Sequence, residues 1–293
     1  MNPRRSPTIR RRRLGAELRR YREAAGVTIE VVAERIGCSP SKVSRIETGH
    51  NSATPRDVAD MLDIYRVGTR EAEELVQISR EARIKGWWHP YSAVLVGAYV
   101  GLEAAARGIR AYEQLVIPGL LQSEEYALAL IRNARSSDPP RDIDRRVHVR
   151  LARQSLLTQE DPIYLWVVLD EAALSRPVGG EAVMREQLRQ LVEAQSLPNV
   201  TLQVLPFAAG AHAAMDGPFA ILDFPDQVDP DVVYVENATG GLFLEKEDEL
   251  RKYHSIFDDI RSVALSPEES TTVIESLVEE PLWRSRPRDS GST

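Results

Sequence analysis

The stretch Ile29–Thr48, IEVVAERIGCSPSKVSRIET, constrains this 293-residue chain more than any other. It spells two short helices joined by a tight turn. Val32, Ala33 and Ile36 recur at the spacing that buries one stripe of the first helix. Gly37 closes that helix, because a glycine accepts the left-handed backbone a C-terminal cap requires. Ser39 offers an N-cap oxygen to the second helix. Pro40 suits its first position, where no N–H is missed. In that helix Val43 and Ile46 point inward, and Ser41, Ser44, Arg45 and Thr48 share the outer face. A small, polar, positive outer face is what a helix needs to enter the DNA major groove and reach base edges. An ordinary helical hairpin inside a bundle is the competing account, and nothing in it calls for such a face.

The charge distribution agrees with a nucleic-acid reader. Net charge is −7 overall, which alone argues against DNA. Residues 1–66, however, hold 14 Lys and Arg against 8 Asp and Glu, a balance of +6, so the remainder carries −13. A basic first domain on an acidic second one is the asymmetry of a reader joined to a regulatory module. The length suffices for two domains with proper cores. The single cysteine, Cys38, excludes a disulfide framework within one chain. It reads as a packing residue, with a redox sensor as the sharper alternative. The longest apolar candidate, Ala93–Ala106, is short and contains Glu103, so no membrane span is expected. The arginine-rich start lacks a following apolar core, so it does not read as a signal peptide, and a cytoplasmic location is expected.

Taken in order, residues 1–13, with six arginines and two prolines, read as a disordered basic arm, on phosphate or in the minor groove or merely solvated. Residues 14–68 read as the helix-turn-helix domain. Leu14–Ala25 is its first helix, Thr28 caps the next, and Pro55 opens a helix through Tyr65 with Arg56 in its first turn. Residues 69–92 read as a linker: a helix over Thr69–Lys85 capped by Thr69, then a hinge at Trp87-Trp88. Residues 93–280 read as a second domain. Helices are expected over Ser123–Arg135, Arg141–Thr158, Gly180–Ser196, Glu247–Ala264 and Pro267–Glu280. Strands are expected at Ile163–Leu169, Val200–Phe207, Pro218–Phe224, Val232–Val235 and Gly241–Leu244. Residues 281–293 read as a disordered tail. The fold class is α+β: an all-α five-helix domain followed by a mixed α/β domain on one sheet.

The segment GVTIEVVAERIGCSPSKVSRIETG, with its turn glycine, Ala33 beneath it and the Ser44–Gly49 ending, resembles the helix-turn-helix of phage-repressor-like (Xre-type) regulators over about residues 14–66. Ile29 stands where that family often has a phosphate-touching glutamine. The resemblance implies that Arg22 pairs with Glu47 as a structural tie between the first and recognition helices. It also implies a phosphate grip near Arg56. Thr28, Ser39, Pro40, Ser41, Lys42, Ser44, Arg45 and Arg56 form the expected DNA-contacting set: Ser41 and Arg45 on bases, Lys42 and Arg56 on phosphates. A second resemblance rests on YVGLEAAARGIRAYEQLVIPGLLQSEEYA, VLDEAALSRPVGG, NVTLQVLPFAAGAHAAMDGPFAILDFP and VVYVENATGGLFLEK. It covers about residues 93–278 and is to the C-terminal domain of actinobacterial antitoxin-like regulators. It implies a small protein partner encoded nearby.

The best enzyme constellation in the second domain is Asp170, Glu171, His212, Asp216 and Glu236. It comes without a nucleophile elbow, a phosphate loop or a paired-histidine motif, so no enzyme, cofactor or metal is expected. The loop bearing His212 and Asp216 is instead a candidate for a ligand or partner. The expected function is sequence-specific transcriptional regulation by a homodimer on double-stranded DNA, controlled by a protein partner. A small-molecule sensor and an enzyme tethered to DNA are the alternatives.

Overall fold

A computed structural model describes residues 7–83, 99–225, 229–237 and 240–281 and divides the chain into two units. The N-terminal unit holds α1 (Pro7–Ala24), α2 (Ile29–Arg35), α3 (Pro40–Glu47), α4 (Pro55–Ile64), α5 (Thr69–Glu81) and the short α6 (Tyr99–Glu103). Its core is Leu14 and Leu18 of α1, Val32 of α2, Val43 and Ile46 of α3, Val58, Met61 and Leu62 of α4, and Leu75 of α5. Burying such a side chain contributes about 1.5–3 kcal/mol. This core therefore fixes the inner faces of both helices of the turn.

The caps lie where the local chemistry requires them. Thr28 Oγ1 accepts from Val31 N, Ser39 Oγ accepts from Lys42 N, and Pro40 is the first residue of α3. Gly37 has φ +69°, the left-handed backbone the turn demands. Thr54 and Asp57 form a reciprocal capping box at the start of α4.

Two expectations for this half are corrected. Residues 7–13 are no arm: they form the first two turns of α1. Ile9 is buried, Arg10 pairs with Glu81 of α5, and Arg11 and Arg12 sink far enough that burial lowers their guanidinium pKa, Arg12 to about 10. Partners distant in sequence thus order a run that its composition alone would leave solvated. Residues 1–6 lie outside the described residues. Second, α5 is no linker, because Leu75 and Ser79 are buried in the N-terminal unit. Its N-cap is Gly68 rather than Thr69, without a side-chain bond. Lys85 and the expected Trp87-Trp88 hinge lie outside the described residues. The short α6 clusters with the N-terminal unit.

One residue shows how closely α1 and α3 cross. A Cβ on Gly15 would stand 2.5 Å from Ile46 O and 2.6 Å from Glu47 O, both backbone atoms of α3. Gly15→Ala is expected to cost about 1–3 kcal/mol, the range for overpacking, read as a lower denaturation midpoint of the N-terminal unit. An unchanged midpoint would show that the two helices part freely.

The C-terminal unit is built on one six-stranded sheet. In chain order it runs β1 (Gly108–Glu113), α7 (Glu124–Ala134), α8 (Pro140–Arg153), β2 (Tyr164–Asp170), α9 (Glu171–Ser175), α10 (Glu181–Ala194), β3 (Val200–Leu205), β4 (Phe219–Asp223), β5 (Val232–Asn237), β6 (Gly240–Leu244), α11 (Glu247–Val263) and α12 (Pro267–Glu279). The strand order is β3-β2-β1-β4-β5-β6. The first three pair in parallel and the last three antiparallel. On one face Tyr112, Val168, Phe219, Ile221 and Val233 pack against Phe257 and Ile260 of α11. The other face presents Ala111, Val167 and Ala220, as strand alternation requires. Strand β1 is an addition to the expected set. The expected helix over Arg141–Thr158 ends earlier: α8 stops at Arg153 and tightens into a 3-10 turn, Gln154–Leu157. Of the expected 281–293 tail, residues 282–293 lie outside the described residues.

Candidate nucleic-acid interface

The recognition helix α3 is held from behind and open in front. Behind it, Arg22 Nε lies 2.7 Å from Glu47 Oε1, and Nη2 lies 3.0 Å from Oε2. Arg22 Nη1 also donates to Val27 O at 3.1 Å. The hydrogen bond to Glu47 raises the Arg22 pKa against the effect of burial. In front, Ser41 and Arg45 are exposed, one turn apart on the outer face, and Ser44 is half-buried between them. Ser39 and Pro40 are exposed at the helix start, so the first amides of α3 face outward with them. Thr28 stands exposed at the N-cap of α2.

The expected phosphate contacts differ in their surroundings. Lys42 Nζ lies 3.1 Å from Asp57 Oδ2. Burial works against the Asp57 charge, but Lys42 and the Thr54 amide outweigh it and hold the carboxyl below its usual range. Lys42 therefore meets a phosphate only by sharing or leaving Asp57. Arg56 is 91% exposed and 3.8 Å from Asp60, a contact that water screens. Ile29 packs against the core rather than facing outward. Cys38 also packs there, and burial pushes its thiol up, away from the reactive thiolate a redox sensor needs.

In the C-terminal unit the five residues of the enzyme constellation do not come together. Asp170 caps α9, accepting from Ala172 N at 2.9 Å, and also accepts from the Tyr112 hydroxyl at 3.1 Å. Glu171 Oε2 accepts from Phe207 N at 2.8 Å. The His212 ring turns inward. Its Nδ1 accepts from Ala214 N, and its Nε2 lies 3.4 Å from the Tyr112 hydroxyl and 3.9 Å from Asp170. Asp216, in the same loop, is exposed and acts on the Tyr253 phenol instead. Glu236 is on the opposite sheet face, since Val235 faces α11 and successive strand residues alternate. Tyr112 is the member that sequence reasoning missed. A tyrosine one residue from the end of an unrecognised strand gave no local signal.

Comparison with known families places both halves. Residues 13–75 match a helix-turn-helix domain, which makes the chain a DNA-binding regulator. Residues 96–276, more than half of the chain, match the family described as Domain of unknown function (DUF5753). The chain belongs to the DUF5753 family. The DUF5753 match begins just ahead of α6 and takes in the whole sheet and α11. Neither a curated protein nor a solved structure matches the chain. Among the described residues of the DUF5753 chain, no helix is long and apolar enough to cross a membrane.

Proposed function

We propose that this chain is a sequence-specific transcriptional regulator of the Xre type that binds a two-fold operator as a homodimer. In this reading it is antitoxin-like, with its DUF5753 domain answering to a small partner protein encoded nearby. The observation that carries the DNA half is the two-sided character of α3. The buried Arg22–Glu47 pair fixes one side, and exposed Ser41 and Arg45 stand on the other. One such unit covers a half-site, and two-fold operators set half-sites about 34 Å apart, one helical turn.

Support for a protein partner comes from the end of the sheet where β1, β2 and β3 finish. The connections there expose Leu115 after β1 and Phe207 and Met215 between β3 and β4, at 51%, 60% and 59%. Large apolar side chains gathered on the loops at one end of a sheet suit an apolar partner surface. The remainder of the chain carries −13, a charge that opposes contact with DNA and favours a controlling role for the domain. A partner changes DNA affinity only by binding the free and DNA-bound states unequally.

The test is co-expression with the neighbouring small gene, followed by operator affinity with and without its product. Copurification and a changed affinity are expected, both lost in a Phe207→Asp, Met215→Asp variant. Footprinting is expected to protect two half-sites. Protection of one unrepeated half-site would overturn the homodimer, and an indifferent neighbour would overturn the partner.

A further inference from the structure

The capping box that opens α4 also faces the recognition helix. Thr54 Oγ1 accepts from Asp57 N at 3.0 Å, and Asp57 Oδ2 accepts from Thr54 N at 3.3 Å. These two bonds fix the carboxylate in place. The same oxygen, Oδ2, takes the Lys42 ammonium of α3 at 3.1 Å. A cap needs only a side-chain oxygen at this position, and glutamine supplies one as well as an acid does. Capping therefore leaves the charge of Asp57, and its hold on Lys42, without an account.

Of the three positive side chains expected on DNA, Lys42 alone lies within hydrogen-bond distance of a carboxylate among the described residues. Arg56 stands 3.8 Å from Asp60 and is almost fully exposed, and Arg45 points to solvent. The Lys42 side chain is 41% exposed but that of Asp57 only 18%. Water and salt therefore screen this pair less than they screen an ammonium on a phosphate at the DNA surface. Asp57 is also already in place, whereas a phosphate contact must order the long lysine stem afresh. Both effects favour the internal pair. A second observation locates the carboxylate. Besides burial, which raises the Cys38 thiol, Lys42 draws that thiol down and Asp57 pushes it up. Cys38 directly precedes the Ser39 cap, so the negative charge stands near the head of α3.

We propose that Asp57 is a positioning residue for DNA binding: it withholds the Lys42 ammonium from phosphate and so lowers the chain's sequence-independent hold on DNA. Non-specific binding rests on phosphate contacts, and each phosphate neutralised contributes about 0.9 to the log–log salt slope. A lysine paired with Asp57 brings little net charge and little of that slope. Base reading by Arg45 and Ser41 is left as it was. A chain that must find one operator among a vast excess of competing sites gains from a weaker grip on all of them. The proposal rests on the reading of α3 as the recognition helix.

The experiment is fluorescence anisotropy of the full-length protein on a labelled duplex of scrambled sequence, over a range of sodium chloride concentrations. Asp57→Asn and Asp57→Gln both keep an oxygen for the Thr54 amide and remove the charge. Each should steepen the salt slope by up to about 0.9 for every subunit on the DNA, and tighten binding by at most about eightfold per subunit at about 0.1 M salt. Damage to the fold weakens binding, so it cannot produce this gain. Asp57→Glu, which restores the charge, should restore the wild-type slope. In a Lys42→Ala background Asp57→Asn should lose at least half of its effect, because the ammonium it releases is gone. An unchanged or shallower slope in both neutral variants would overturn the proposal, as would an equal gain with and without Lys42. Operator selection with Arg45→Ala tests the recognition-helix reading separately.

Discussion

Glu47→Ala is expected to cost the N-terminal unit about 3–5 kcal/mol, the range for breaking one partner out of a buried ion pair. The side chains of Arg22 and Glu47 are only 11% and 3% exposed, so water neither screens the pair nor replaces it. Removing the carboxylate leaves a guanidinium buried with Val27 O and the more distant Glu23, 3.6 Å away and 53% exposed. Tyr65, whose phenol is raised by burial and by the Glu47 charge, lies close by, and among the described residues its hydroxyl has no hydrogen-bond partner. Val27 O and the Tyr65 hydroxyl are neutral and Glu23 is largely in water, so among the described residues none of these neighbours restores the buried negative charge. Glu47→Gln keeps an acceptor and should cost less. A double-mutant cycle with Arg22→Ala, followed by denaturant unfolding of the full chain, isolates the pairwise term. A coupling below about 1 kcal/mol, the value of an exposed pair, would show that the core alone holds α3 against α1.

Legibility in the sequence tracked how local the cause was. The turn of residues 28–49 was readable because its determinants lie within a few residues of the effect. Thr28, Ser39, Pro40 and Gly37 act on backbone groups one to three positions away. The start of α1 was not readable, because Arg10 answers to Glu81, 71 positions on. By composition the same residues belong to a solvated arm. Strand β1, GIRAYE, was missed for a related reason. Arg110 breaks the apolar pattern, and its partner Asp231, at 3.4 Å, is 121 positions away across the sheet. The candidate loop divides the same way. His212 and Asp216 share a loop in sequence, but the fold turns the histidine to Tyr112 and Asp170 and leaves the aspartate at the surface.

The change with the largest expected effect on DNA recognition is Arg45→Ala. Arg45 is exposed on the outer face of α3, one turn beyond Ser41, and among the described residues no side chain holds it. A guanidinium free to turn can make two hydrogen bonds to a guanine edge, a contact that contributes about 1–3 kcal/mol of discrimination. Losing it should cut the preference for the operator over a single-base variant by about 5- to 150-fold, while non-specific affinity falls far less. Lys42 supplies the contrast. Its ammonium is already neutralised by Asp57 at 3.1 Å, so any phosphate contact comes at the expense of that pair. Lys42→Ala should weaken all sequences alike and lower the log–log salt slope by at most about 0.9, the value of one phosphate. Binding-site selection with each variant distinguishes the two roles. Arg45→Ala should return a motif degenerate at one position in each half-site, and Lys42→Ala the full motif at lower affinity. If Arg45→Ala returned the full motif, base reading would pass to Ser41 and Ser44. Their short hydroxyls would then have to approach the bases more closely than a helix standing off on Arg45 allows.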